Sequence, residues 1–213
     1  MFTLRFSGVN SASMDPARTR RYNSGNVSHI PVPKDLPGIR GLLAFRPETA
    51  AALGALADAL LHAPNTLSRG ERELIAAYVS RLNACTFCHS SHAAIAACHL
   101  GDDHALVEGV MRDPEQAPIS LKLRALLAIA ASVQQSGRNV RDEDVARARA
   151  EGATDTEIHD TVLIAAAFCM FNRYVDGLAA WTPTDSEGYR TRARMVAEHG
   201  YSVSLPSTAT TTG

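Results

Sequence analysis

The chain reads as an all-α protein, and three observations predict it. Apolar residues recur at three- and four-residue spacing through most of residues 47–200. Two capping boxes, Ser68-Arg-Gly-Glu71 and Thr154-Asp-Thr-Glu157, stand ahead of apolar runs where helices should begin. Alternating strand patterns are nearly absent, a short stretch at Thr3–Phe6 excepted.

The elements follow in order. Residues 1–46 hold Gly8, Pro16, Gly25, Pro31, Pro33, Pro37 and Gly38, which predicts a loop-rich N-terminal arm. Pro47 suits a first helical position, and Leu53, Leu56, Leu60 and Leu61 keep helical spacing after it. The Ser68 box opens a helix to about Leu82; Asn83 suits the N-cap of the next, from Ala84 to Leu100, with Gly101 as its stop. Helices are predicted over 102–112, 120–135 and 142–151, the last two ended by Gly137 and Gly152. The Thr154 box opens a long helical pattern reaching Ala180, and a polar helix covers about 187–199. The Ser/Thr-rich stretch 201–213 predicts a disordered tail. The organisation is therefore an arm (1–46), one helical domain (47–200) and a tail (201–213).

Composition narrows the function classes. A net charge of −1 with scattered arginines offers no basic field for nucleic acid. No apolar run reaches the roughly 18 residues of a membrane span, and Met1–Asn10 lacks a signal-peptide core. Four cysteines in a chain without secretory signs fit a reducing cytoplasm, where a CxxC is redox-active or metal-binding rather than a permanent staple.

Chemistry concentrates in one stretch. Cys85-Thr-Phe-Cys88 is followed by His89 and His92, and Glu73 stands twelve residues before Cys85. On a helix Cys85, Cys88 and His92 share a face, and the helix N-terminus should lower at least one thiol pKa. A thiolate beside a second thiol is the chemistry of disulfide exchange and peroxide reduction. If the chain reverses near Asn83, Glu73 comes opposite His92, because the midpoint of 73 and 92 falls between Leu82 and Asn83. Glu73 would then orient His92, and His92 would take the proton from Cys88 one turn away. Spacing alone does not rank His89 against His92.

Other readings compete. Cys85–His89 matches a CxxCH haem-attachment pattern, but that chemistry normally follows export. Zinc would find all of Cys85, Cys88, His89 and His92 in one helical segment instead of converging from separate ones. A thioredoxin-like domain needs a βαβ pattern that is missing. The bland alternative makes Cys85 and Cys88 core thiols and Glu73 a first-turn helix glutamate. Cys98 and Cys169 read as core residues; His62, His99, His104, His159 and His199 read as surface or packing groups. A faint repeat sets Glu157 and Cys169 at the spacing of Glu73 and Cys85, with Asn172 answering Cys88 and Asp176 answering His92.

At Glu73-(eleven residues)-Cys85-Thr-Phe-Cys88-His-Ser-Ser-His92 the chain resembles the alkylhydroperoxidase-D-like branch of the carboxymuconolactone decarboxylase superfamily. Leu36–Pro47, Asn65–Glu73 and Phe171–Leu178 resemble its peroxidase-related members, so the likeness spans roughly residues 36–180. It implies a helical fold built from a duplicated unit, with a catalytic half at about 47–112 and a degenerate half at about 118–181, assembled as a trimer or hexamer. It implies a thiol peroxidase in antioxidant defence, reducing organic hydroperoxides or hydrogen peroxide without metal or flavin. Cys88 then corresponds to the peroxidatic thiol that becomes a sulfenic acid, Cys85 to the proton-donating, resolving thiol, and His92 with Glu73 to the proton relay. A dithiol reductant, such as a lipoyl-bearing carrier protein, would reopen the disulfide. Phe87 departs from the pattern, since better-studied members carry histidine between the cysteines. Two alternatives stand beside this: a lyase of the carboxymuconolactone decarboxylase type, which needs no cysteine pair, and a redox sensor that oxidises without turnover.

Overall fold

Helix boundaries fall where local chemistry can satisfy the backbone. A computed structural model of the protein describes residues 28–202, and all regular structure among them is helical. The helices are α1 (Ile39–Phe45), α2 (Pro47–Ala57), α3 (Arg69–Leu82), α4 (Thr86–His99), α5 (His104–Arg112), α6 (Leu121–Gln135), α7 (Asp142–Ala150), α8 (Asp155–Gly177) and α9 (Ser186–His199). Both capping boxes form as the sequence predicts. Ser68 Oγ accepts from the Glu71 N–H, and the Glu71 carboxylate accepts from the Ser68 N–H at 2.8 Å. Thr154 and Glu157 do the same at the start of α8.

Several boundaries depart from the sequence reading. The arm contains a helix, α1, with Leu42 and Leu43 buried. Helix α2 passes into a π-turn over Asp58–His62. Asn83 ends α3 and does not start α4; Cys85, in extended conformation, is the N-cap of α4. Asn83 is unavailable as a cap because its side-chain amide donates to Asn172 Oδ1 at 2.8 Å and its oxygen accepts from Gln134 Nε2 at 2.8 Å. Ala84 makes the intervening reversal at φ +56°, a left-handed conformation that costs a non-glycine residue about 1–2 kcal/mol. Gly137 opens a short 3₁₀ turn instead of merely stopping α6. The strand expected at Thr3–Phe6 lies outside the described residues, as does most of the tail.

The core is organised around α3. Leu74, Ile75, Ala76, Ala77, Val79 and Ser80 are all buried, with only Tyr78 between them half-exposed, so the middle of this helix is covered on most of its faces, by α4, α6 and α8. Alanines at the α3–α4 contact (Ala76, Ala77, Ala96, Ala97) let the two backbones approach closely. A smaller apolar cluster joins Leu42, Cys85, Phe87, Cys88, Val175 and Ala180, bringing α1 and the loop before it over the cysteine turn. That loop is strapped to the end of α8 by His29 N–H to Leu178 O and Gly38 N–H to Trp181 O, both 2.9 Å. Helix α9 packs on α4 through Ala193, Val196 and Ile95.

The repeat register seen in the sequence sets unlike structures against each other. Glu73 and His92 face one another across a helical hairpin. Glu157 and Asp176 lie nineteen positions apart on the unbroken helix α8, roughly 28 Å along its axis. Glu157 is instead held by its capping box and by Lys122 Nζ at 2.8 Å.

A polar network, with Asn172 and Ser80 buried and Asn83 and Gln134 half-buried, holds the hairpin tip. Asn172 Nδ2 donates to Ser80 Oγ at 3.0 Å, completing a network of Gln134, Asn83, Asn172 and Ser80 that links α6, α3 and α8. Replacing Asn172 by alanine strands the Asn83 amide and should lower unfolding stability by about 1–3 kcal/mol. Urea unfolding with an unchanged denaturant slope checks this; a loss under about 0.5 kcal/mol would mean the network is replaceable.

Candidate active site

The reversal at Asn83–Cys85 decides which side chains meet. It folds α4 back along α3, so that His92 Nδ1 lies 2.7 Å from Glu73 Oε2. Glu73 is 1 % exposed, and such a burial is tolerable for a carboxylate only with strong donors around it. His92 supplies one. The second is the phenol of Tyr201, which donates to Glu73 Oε1 at 2.5 Å and sits 3.2 Å from His92 Nδ1. With Nδ1–H directed at Glu73, a neutral His92 ring keeps its lone pair on Nε2. The ring is further fixed edge-on against Phe168, with centroids 4.5 Å apart, and in a stack with Tyr201.

Tyr201 is the residue that sequence reading missed. It belongs to the stretch 201–213 read as a disordered tail, yet its first two residues are anchored. The N–H groups of Tyr201 and Ser202 donate to the two carboxylate oxygens of Asp58, at 2.5 and 2.9 Å. Burial raises the Tyr201 phenol far above its ordinary pKa, and the Glu73 charge adds to that, so the group stays protonated and remains a donor. The available signal was thin: one aromatic residue directly after Gly200, which stops α9 at φ +80°.

The two cysteines are free thiols, and both are buried. They are not equivalent. Cys88 lines a cavity of about 90 Å³ together with His92, Phe168, Phe171, Leu43 and Leu53, a mostly apolar wall to which Tyr201 also contributes. Cys85 lies behind it and does not reach that cavity. Its hydrogen bond to Cys88 and its burial push the Cys85 thiol strongly up. At Cys85 the lowering expected of a helix N-terminus for at least one thiol does not prevail, because the Cys88 hydrogen bond and then burial in an apolar cluster outweigh it.

Phe87, between the cysteines, also lines the cavity and packs against Tyr189 at 6.0 Å between centroids. Its ring lies against Gly38, where a Cβ would come within 2.3 Å of it; Gly38 also holds φ +56°, so only glycine suits that position. His89 is placed apart from His92. Its Nδ1 is 3.3 Å from Ala77 O, on a face away from the cavity, and burial lowers its pKa.

The remaining candidates are dispersed. His159 pairs with Asp160, His62 Nε2 lies 3.3 Å from Ala197 O, and His199 lies by Glu198. Cys98 and Cys169, expected in the core, are only half-buried. Among the described residues, no three His, Cys, Asp or Glu side chains converge in a way that could hold a metal ion. No helix among them is long and apolar enough to cross a membrane.

A family model for the carboxymuconolactone decarboxylase family matches the chain twice, over residues 47–113 and 103–183. The chain belongs to this family. Its helical fold is AhpD-like: a structure from Ralstonia eutropha JMP134, described as an alkylhydroperoxidase AhpD core and an uncharacterised peroxidase-related protein, superposes with a TM-score of 0.69. The two are 26 % identical, over 80 % of this chain and 98 % of that one. An uncharacterised peroxidase-related protein from Silicibacter sp. TM1040 superposes with a TM-score of 0.65 at 28 % identity, covering 72 % of this chain and 78 % of the other. No curated protein matches the sequence significantly. Within the family fold, the cysteine turn and Glu73–His92 fall in the first matched segment, whereas the cavity also draws Phe168 and Phe171 from the second and Tyr201 from beyond both.

The Tyr201 anchor carries a pH dependence of defined sign. Burial alone would raise the Asp58 carboxyl, but the Ser202 side chain and the Tyr201 and Ser202 N–H groups bring it net below its ordinary value of 3.8. A depressed folded-state pKa stabilises above the unfolded value and is lost as the pH falls through the folded one. Exchange protection of the 201 and 202 amides should therefore exceed that of Asp58→Asn near neutrality, and the difference should vanish well below pH 3.8. Equal protection near neutrality would show that Asp58 does not hold this segment.

Proposed function

We propose that the protein is a thiol-dependent peroxidase that reduces organic hydroperoxides or hydrogen peroxide through Cys88 and Cys85, in antioxidant defence. The reading rests on one observation: Cys88 shares a small apolar cavity with His92, while Cys85 stands behind it in hydrogen-bond contact. A thiol pair with one member open to a substrate space and the other withheld from it is the asymmetry that peroxide reduction requires.

In this mechanism the neutral His92, steered by Glu73 and Tyr201, takes the Cys88 proton. The Cys88 thiolate attacks the outer oxygen of the hydroperoxide; the S–O bond forms as the O–O bond breaks. Cys88 becomes a sulfenic acid, and the departing alkoxide receives the proton from His92 and leaves as the alcohol. The sulfur of Cys85 then attacks the Cys88 sulfur. A disulfide closes, the sulfenic oxygen takes the Cys85 proton, and water is expelled. A dithiol reductant, of the kind carried on a lipoyl arm, returns two electrons and two protons. Cytoplasmic location and assembly into a trimer or hexamer belong to the same proposal; Phe45 and Leu121, exposed at 48 % and 55 %, are apolar surface that such an assembly would cover.

Steady turnover of hydrogen peroxide or tert-butyl hydroperoxide with dihydrolipoate tests the reading. Cys88→Ser should abolish it, and Cys85→Ser should permit no more than one oxidation, trapped as a dimedone adduct. Glu73→Gln keeps the hydrogen-bonding shape but removes the charge, and should keep the fold while slowing turnover by about 10²-fold. One stoichiometric oxidation of the wild type followed by silence would favour a sensor. An unchanged alkylation rate of Glu73→Gln near neutral pH would remove Glu73 from the mechanism.

A further inference from the structure

The same cavity carries two guanidinium side chains for which the thiol chemistry has no use. Arg40 reaches it from α1 and Arg192 from α9, elements from opposite ends of the chain. Neither is a surface residue: both are half-buried, and Arg40 Nε is buried with no hydrogen-bond partner. The two groups lie close enough to repel. Burial, then the neighbouring Arg40 charge, lowers Arg192 to about 10. Asp35 is the acidic neighbour that offsets part of the charge at Arg40, and Arg192 lies beside the Tyr201 phenol.

Two like charges against an apolar wall are individually costly and jointly worse, because a low local dielectric strengthens their repulsion. An anion placed between them reverses both terms. Planar guanidinium forks fit a carboxylate or a phosphate with parallel N–H donors, and the small, mostly apolar cavity favours the less charged carboxylate. The volume of about 90 Å³ leaves room for only a small organic body alongside it.

We propose that the cavity selects a small carboxylate-bearing substrate, with Arg40 and Arg192 holding the carboxylate and the apolar wall holding the rest beside Cys88. Combined with the peroxidase reading, on which this part rests, the substrate class is a short hydroperoxide with a carboxylate at its far end. Its reduction follows the steps above, the O–O bond breaking at Cys88 and the hydroxy acid leaving. Arg40 and Arg192 are specificity residues.

The test separates the two readings. β-Hydroperoxyisovalerate and its methyl ester are compared as substrates, and binding of the product acid, β-hydroxyisovalerate, is measured by calorimetry. Wild type should prefer the acid over the ester by more than about ten-fold in kcat/KM, with the ratio falling toward one in Arg40→Gln/Arg192→Gln. Product-acid binding should weaken by at least about ten-fold in the same variant, and inorganic phosphate should compete poorly. Equal use of acid and ester by the wild type, or carboxylate binding indifferent to both arginines, overturns the proposal. Phosphate binding as tight as the acid overturns the carboxylate assignment. Turnover of neither peroxide, with arginine-dependent binding of the acid intact, upholds the anion site and sinks the peroxidase reading. Should the double variant fail to fold, the acid-to-ester ratio of the wild type and the effect of Arg40→Gln alone decide.

Discussion

The hydrogen bond from His92 to Glu73 is the interaction on which the rest of the site depends. A carboxylate 1 % exposed has given up almost all of its hydration and must recover it from the protein. Removing the donor to a buried charged group leaves it unsatisfied and typically costs about 1–3 kcal/mol or more, a large share of a domain's stability. The bond at 2.7 Å is therefore structural and chemical at once. It closes α4 against α3, and it fixes which imidazole nitrogen carries the proton. A ring held only by packing would be free to turn and to change tautomer. Here rotation would leave Glu73 short of a donor.

That bond is itself supported from two sides. On one side Arg72, beside Glu73 in sequence and 2 % exposed, donates to Leu60 O at 2.9 Å and Ala63 O at 2.8 Å. These two carbonyls belong to the π-turn and its exit, where the helical ladder leaves acceptors unpaired. The turn presents Asp58, Asp58 holds the backbone of Tyr201, and Tyr201 supplies the second donor to Glu73. On the other side the Asn83 and Asn172 amides and the Ser80 hydroxyl set the hairpin tip that gives α4 its direction. A local irregularity in α2 and a residue past the last helix thus converge on one carboxylate, although they lie far apart in sequence.

The features legible in the sequence were those encoded over short distances. Capping boxes at Ser68 and Thr154 depend on residues three apart, and both gave helix starts where they form. The pairing of Glu73 with His92 was legible because a two-helix hairpin has a single midpoint, near Asn83. What stayed hidden was long-range. Asn83 has the composition of an N-cap, but its amide is committed to Asn172, 89 positions away, so the cap passes to Cys85. Tyr201 looked like tail because its partners, Asp58 and Glu73, are more than a hundred residues upstream. Helix α1 was hidden by its flanks: Pro37 and Gly38 read as breakers, yet Gly38 is the position where the backbone turns tightly against Phe87. The family model matching twice accords with two helical units, but the residue register of the repeat does not carry the site into the second, for a related reason. Alanine-rich runs look alike whether the chain reverses within them or continues straight, and only Ala84 at positive φ distinguishes the two cases.

The unequal access of the two thiols to the cavity constrains the order of events in the proposed cycle. Cys85 is fully covered and kept protonated by its bond to Cys88, so a peroxide entering the cavity meets the Cys88 sulfur first. The same covering protects Cys85 from overoxidation, since the ladder beyond sulfenic acid needs fresh oxidant at the sulfur concerned. It also limits the reducing half-reaction. An incoming thiol can attack only the sulfur that the cavity exposes, which is again Cys88, with Cys85 as the leaving group. Attack at Cys88 expels the Cys85 thiolate into an apolar cluster that disfavours charge, so protonation of that leaving group must accompany cleavage.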